Sequence, residues 1–321
     1  MNNISIALKL LAGAAASFFN GFNFDINRVE VNQPSKQVIS QLQKFESSFI
    51  YPFSSNEEFT IKHGIKGDYF SFFKKLGEPY YYVVTSKTDR DVKKIVNGKH
   101  VIVKQKEGEV AAAVCCVLRN IKDRTGKHQE AWYICDLKVN EKYQGEHLPM
   151  IITQKIAFSR FKQCPRGFAI CMNPTVGDPK AARIFKKHGP IMGINTQTLN
   201  LYTLSGQQVK QHQDNIQIIL VKHGYMKSNM KLGVVSTSGR KDYEIINKTT
   251  GEVRSWNLQH IVPSTNEFTL QEDANYMICS VEGSKLDNDF KKILGLPSST
   301  AQILSYGMNG FDFNFLTSAE I

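Results

Sequence analysis

The chain of 321 residues contains no C-x-x-C pair, no internal repeat and no apolar run of membrane-spanning length, and glycine and proline are not enriched, at 22 and 10. The missing repeat excludes solenoids and propellers. Hydrophobic residues at 41% and charged residues at 21% are ordinary for a folded protein and exclude a disordered chain. Cysteine is present six times, at Cys115, Cys116, Cys135, Cys164, Cys171 and Cys279, five of them in or beside apolar strand-like runs. Adjacent Cys115 and Cys116 point to opposite faces of any strand that carries them. These are expected to be reduced thiols in the cytoplasm, with no disulfide framework and no zinc site.

Acidic residues are outnumbered, 29 against 40, which leaves a formal charge of +11. The densest basic run is Lys87, Arg90, Lys93, Lys94, Lys99, Lys104 and Lys106. It lies between apolar segments and is expected to be solvated surface, so the charge by itself does not imply nucleic-acid binding. At the N-terminus, Ile4, Leu8, Leu11, Ala15, Phe18 and Phe22 recur at steps of four and three. That spacing predicts an amphipathic helix docked on the protein. The absence of an early charged region argues against a signal peptide, a membrane-surface or export role being the second reading of this segment, and no stable membrane insertion is expected.

What is there begins with a helical stripe over residues 36–50, carried by Val38, Ile39, Leu42, Phe45 and Phe49 and stopped by Tyr51-Pro52. A short helix with Phe70, Phe72 and Phe73 closes at Gly77, and Tyr80–Val84 reads as a strand. His100–Gln105 and Glu109–Arg119 read as the two arms of a hairpin turned by Lys106-Glu107-Gly108, the second arm apolar on both faces. Ala131–Val139 is a further strand. A turn, Asn140–His147, then leads into a helix with Leu148, Ile151, Ile152 and Ile156 on one side. Gly167–Asn173 is a strand, Lys180–His188 a helix ended by Gly189, and Thr196–Leu204 a returning strand.

In this order, with Val139, Tyr143, Gln144 and Gly145 at the strand-to-helix turn, the segment Ala131–Ile152 resembles the GNAT N-acetyltransferase superfamily. Asn173 followed by Ala181-Ala182-x-x-Phe185-Lys-Lys-His-Gly189 is similar to that family's acceptor-side helix. Phe49-Ile-Tyr-Pro, Phe59-x-Ile-x-His-Gly and Ser318-Ala-Glu-Ile resemble a less-characterised bacterial branch. The resemblance implies an α/β fold with a mixed central sheet flanked by helices, acetyl-CoA as acyl donor, no metal and an amine as acceptor. It assigns residues 36–205 to the acyltransferase domain. Residues 1–35 are then a helix and link, and 206–321 a C-terminal α/β extension acting as lid, acceptor side or dimer surface.

The physics of the turn agrees with an anionic donor. A helix N-terminus offers unpaired N–H groups to phosphate, and glycine lets phosphate approach the backbone. The resemblance gives donor contacts to Leu137, Lys138 and Val139 through their backbone, to Gln144, Gly145, Glu146, His147 and Leu148 at the turn, and to Asn173 and Phe185. The chain departs from the family pattern, with Gln144-x-x-His147-x-Pro149 where glycines are usual, and with Phe185 where a proton-donating tyrosine is usual. The resemblance makes Asp136 the first choice to hold the acceptor ammonium and relay its proton, the other reading being a loop cap or a pair with Lys138 or Arg119. Tyr202 is the substitute acid, the other reading being a buried structural tyrosine. His63 could reach the cleft as a base but, as a lone histidine near a turn, reads more as structural. Cys135, with no histidine placed by sequence to activate it, reads as core.

In the last third, Lys248-Thr-Thr-Gly251 turns a hairpin, and Tyr276–Val281, Leu286–Leu294 and Ala301–Tyr306 read as strand, helix, strand. Two further readings share the fold. One is an N-acyl-amino-acid synthase fed by an acidic acyl carrier protein, and the other a catalytically silent binding module. A homodimer is a further expectation from the C-terminal region.

Overall fold

The computed structural model describes residues 23–321 apart from 54–55, 65–66, 97, 123–124, 161, 174–192, 267 and 272. The chain forms two compact units, Met1–Ser48 with Glu78–Val117 and Ile134–Pro165, and Phe49–Gly77 with Leu118–Tyr133 and Arg166–Ile321. The N-terminal segment and the Lys180–Gly189 segment, both expected to be helical, lie outside the described residues, as does Phe185.

In the first unit, β1 (Phe24–Val29) pairs antiparallel with β4 (Glu78–Ser86), and the order continues through β7 (Val110–Lys122) to β8 (His128–Val139). Residues Val110–Val117 are buried without a break, as a central strand covered on both faces requires. Helix α1 (Lys36–Glu46) starts where the Ser35 hydroxyl accepts the Val38 N–H at 3.2 Å, and it buries Leu42, Phe45 and Glu46. Helix α3 (Leu148–Arg160) buries Leu148, Ile151, Ile152 and Ile156, the stripe read from sequence. Each such side chain contributes about 1.5–3 kcal/mol.

The expected hairpin between 100–105 and 109–119 is corrected. Strand β6 (Lys99–Gln105) pairs with β5 (Arg90–Val96) in a separate two-stranded sheet, Arg90 opposite Gln105 and Val96 opposite Lys99. The sequence signal is Asn97-Gly98, a two-residue turn between alternating Val/Ile and Lys. Gly98 takes φ +76°, the value that turn demands.

The second unit holds β2 (Tyr51–Pro52), β3 (Glu57–His63) and α2 (Ser71–Leu76). After β9 (Gly167–Met172) and β10 (Ile194–Ser205) come α4 (Gly206–Lys222), β11 (Lys231–Ser236), β12 (Lys241–Asn247), β13 (Val253–Ser255) and β14 (Leu258–Ser264). Strand β15 (Asn275–Val281), α5 (Lys285–Leu294) and β16 (Ser299–Tyr306) complete it. Its larger sheet has the order β8-β9-β16-β10-β15-β14-β11, with β14 and β15 parallel and β10 antiparallel to both neighbours, so the sheet is mixed. A smaller sheet runs β13-β12-β3-β2. The polar stretch after Ser205 is helix α4, opened by a capping box between Ser205 and Gln208. The hairpin at Lys248–Gly251 and the strand-helix-strand that follows stand as expected. The α/β class expected from sequence is therefore observed. Among the described residues no helix is long and apolar enough to cross a membrane.

Candidate active site

In the first unit, β8 leaves the regular pleat at Asp136, whose φ is +53°. A non-glycine residue pays on the order of 1 kcal/mol for that conformation and keeps it only where neighbours fix it. Here the side chain is the fixed point. Tyr81 on β4 donates its hydroxyl to Asp136 Oδ2 at 2.7 Å, and Lys138 Nζ meets Asp136 Oδ1 at 2.6 Å. Lys138 also meets Glu46 Oε1, at the end of α1, at 2.9 Å. All of these side chains are nearly shut off from water, with Lys138 at 8% and Glu46 at 2% exposure. The cluster is thus a buried ion network, in which each charge depends on its partners.

Past Val139 the chain makes one short turn, Glu141–Tyr143, capped by the Asn140 side chain on the Lys142 N–H at 3.0 Å. Tyr143 is buried and donates its hydroxyl to Glu109 at 2.8 Å, and Lys142 Nζ meets the same carboxylate at 2.7 Å. Burial pushes the Glu109 carboxyl up, but these two hydrogen bonds, with the Lys106 N–H and the Lys142 charge, together outweigh it and hold the group below the usual carboxylate range. The backbone then twists through two left-handed residues, Gly145 at φ +91° and His147 at φ +58°, before α3 begins. Both are exposed, and a Cβ added to Gly145 would meet nothing within 4 Å. Among the described residues, the N–H groups of Gly145, His147 and Leu148 have no acceptor.

The β5–β6 hairpin braces this turn. Lys94 Nζ donates to the carbonyls of Lys142 and Gln144, both at 2.6 Å, and burial holds its ammonium below the usual lysine range. Gln105 Nε2 donates to the Lys142 carbonyl at 2.9 Å, and Arg90 donates to Gln105 Oε1 at 2.6 Å. Glu146 is 8% exposed and keeps its carboxylate on Gln105 and Arg90, at 3.4 and 4.0 Å. Its charge is therefore neutralised within the protein, and the N–H groups of exposed Gly145 and His147 lie among the exposed side chains of Glu141, Lys142, Gln144 and His147. That arrangement accepts an anion such as a pyrophosphate.

Of the residues singled out by sequence, Asp136, Leu137, Lys138, Val139 and Gln144–Leu148 lie together on this strand and turn. Leu137 is 44% exposed, so the strand end is open to solvent there, whereas Leu148 is fully buried under α3. Asn173 ends β9 in the second unit, its Nδ2 on Thr300 Oγ1 at 2.6 Å. Tyr202 also belongs to the second unit. Its hydroxyl donates to Asp287 at 2.7 Å, and burial together with that carboxylate pushes its pKa well above the usual tyrosine value. Asp287 takes further hydrogen bonds from Asn200, Ser280 and the Gly283 N–H, so the cluster caps α5 from within the core. His63 is buried against the rings of Tyr69, Phe72 and Phe73.

Sequence reasoning missed Glu46, Tyr81, Arg90, Lys94 and Gln105. Glu46 left a signal, being four residues after Leu42 on the apolar stripe of α1, where a carboxylate needs a buried partner. Lys94 left none, because a lysine bound to carbonyls reads like any surface lysine.

No protein-family model matches the chain. It is 21% identical over 268 residues, 79% of this chain and 68% of the relative, to an uncharacterized protein of Acanthamoeba polyphaga mimivirus. Among solved structures it is similar to a tandem GNAT protein from the clavulanic acid biosynthesis pathway, at 10% identity and a TM-score of 0.44 over 88% of this chain and 98% of that one. It is also similar to Saccharomyces cerevisiae N-myristoyltransferase with bound myristoyl-CoA, at 9% identity and a TM-score of 0.46 over 92% and 84% of the two chains.

Proposed function

We propose that the chain is an acyl-CoA-dependent acyltransferase that acylates an amine, with acetyl-CoA the first donor to test. The observation that carries this reading is the turn after β8, where Gly145 and His147, both exposed, take left-handed conformations and leave their N–H groups without an acceptor just before α3. Coenzyme A supplies the pyrophosphate for that turn and the thioester for transfer. The backbone of Leu137–Val139 is the proposed track for its pantetheine arm, with one N–H polarising the thioester carbonyl.

Asp136 is the proposed acceptor residue. Two of its roughly four lone-pair positions are used by Tyr81 and Lys138, which leaves capacity for an ammonium or a bridging water. Deprotonating a lysine-like amine at neutral pH costs about 4–5 kcal/mol, and a carboxylate relay through water lowers that cost. Because the Tyr202 proton is held by Asp287, thiolate departs without it, at a cost of about 2 kcal/mol for a thiol of pKa about 8.5. The amine class and the acyl chain length belong to the proposal, as does an acyl carrier protein in place of coenzyme A.

A second reading has its own observation. Because Asp136 is tied to Lys138, it serves as well to lock the strand as to do chemistry, which favours a silent binding module. Acetyl-CoA binding followed by thermal shift and thiol release in the wild type and Asp136→Asn separates the two. Thiol release that falls at least about tenfold in Asp136→Asn, with donor affinity retained, supports the transferase. Binding without release under a broad amine screen supports the module, and no binding of acetyl-CoA, longer acyl-CoA or acyl carrier protein overturns both.

A further inference from the structure

The β5–β6 hairpin has two unlike faces. Arg90, Val92, Lys94, Val101, Val103 and Gln105 are partly or fully buried, and Lys94, Gln105 and Arg90 brace the turn described above. The opposite face is Asp91, Lys93, Ile95, His100, Ile102 and Lys104, all exposed. On it Ile95 is 67% and Ile102 62% exposed, values at which an isoleucine makes little contact with its own protein. The register sets Lys93 opposite Ile102, and His100 opposite Ile95, so each isoleucine has a basic cross-strand neighbour. Lys99 stands at the tip, next to Gly98. Among the described residues, Lys93, Lys99 and Lys104 form no ion pair, and Asp91 is the one acid on the face.

We propose that this outward face docks the protein on an anionic lipid surface. The pattern fits such an interface in both of its layers. Isoleucines sink below the headgroups, while lysines reach up along their stems to the phosphates. The surface is small, so the docking is peripheral and reversible. The inner face is held to the turn by charged and amide contacts, which leaves the outward face to meet a membrane. The inference does not depend on acyl transfer, and holds for a binding module as well.

The test is co-sedimentation of the full chain with phosphatidylcholine vesicles, with and without a phosphatidylserine fraction, at low and high salt. Wild type is expected to sediment with the anionic vesicles and to be released by salt. Lys93→Gln with Lys104→Gln is expected to weaken partitioning by roughly fivefold per lysine. Ile95→Ser with Ile102→Ser is expected to weaken it by at least about tenfold. Neither pair is part of the core, so melting temperatures should stay near wild type, which separates lost docking from lost folding. Sedimentation equal with uncharged vesicles, or unchanged in both double variants, overturns the proposal, as does no sedimentation at all.

Discussion

At the scale of single residues, the buried cluster of Asp136, Lys138, Glu46 and Tyr81 is a set of charges whose removal one at a time is costly. Lys138→Met takes away the cation and leaves two carboxylates facing each other in the core of the first unit. The expected loss is about 3–5 kcal/mol, checked by urea unfolding. A loss under about 1 kcal/mol would mean that water already screens the pair. His260 sits in a different kind of site. It is 1% exposed, and burial, with the nearby charges of Lys241 and Arg240, pushes its pKa down to about 3. Its imidazole is neutral when folded, and it protonates near 6.5 when unfolded. Stability from this group is thus full above pH 6.5 and declines by up to roughly 1.4 kcal/mol per unit as pH falls toward 3. His260→Gln should flatten that part of a pH–stability curve, and an unchanged slope would assign it to other groups. Asp136 was legible from sequence as a candidate only through the family resemblance, which aligns its strand with the one that meets the thioester. Its left-handed backbone was not, since aspartate enters that region more often than most residues but still only a few per cent of the time.

At the scale of elements, the strand-to-helix turn is held by parts distant in sequence. Lys94→Met would release the carbonyls of Lys142 and Gln144, although Lys94 is not among the proposed donor contacts. Affinity for acetyl-CoA is expected to drop several-fold while the melting temperature changes little, as read by calorimetry and thermal shift. Equal affinity would show that the turn keeps its shape unaided. Periodicity located α1, α3, β8 and α5 because each has one buried face whose spacing repeats. It did not locate α4 along its whole length, because its first turns are Gln- and Lys-rich and its identity rests on a cap. It also paired β6 with the wrong neighbour. Loop length alone made both hairpins plausible, and only the Asn-Gly pair favoured the observed one.

At the scale of the molecule, neither unit is a continuous stretch of chain, and β7 and β8 each contribute residues to both. The fragment 166–321 would lack β3, which pairs with β12 from Lys241 to Asn247, and the part of β8 whose Trp132 N–H bonds the Arg166 carbonyl. It is therefore expected to aggregate or remain partly folded, and a monomeric fragment with a sharp thermal transition would refute this. The sequence places its deciding motifs in the first unit and offers none for the second. Hydrophobic alternation names the second unit's strands but not which partner, many residues away, each one takes. The pairing of β3 with β12 has a temporal side as well. Lys62 and Glu244, joined at 2.5 Å, are 182 residues apart in the chain. During synthesis at roughly 5–20 residues per second, β3 waits on the order of ten seconds or more before its partner leaves the ribosome. Throughout that interval its edge is unpaired and open to any other extended chain, so the nascent protein is a client for a chaperone that binds early and lets go late.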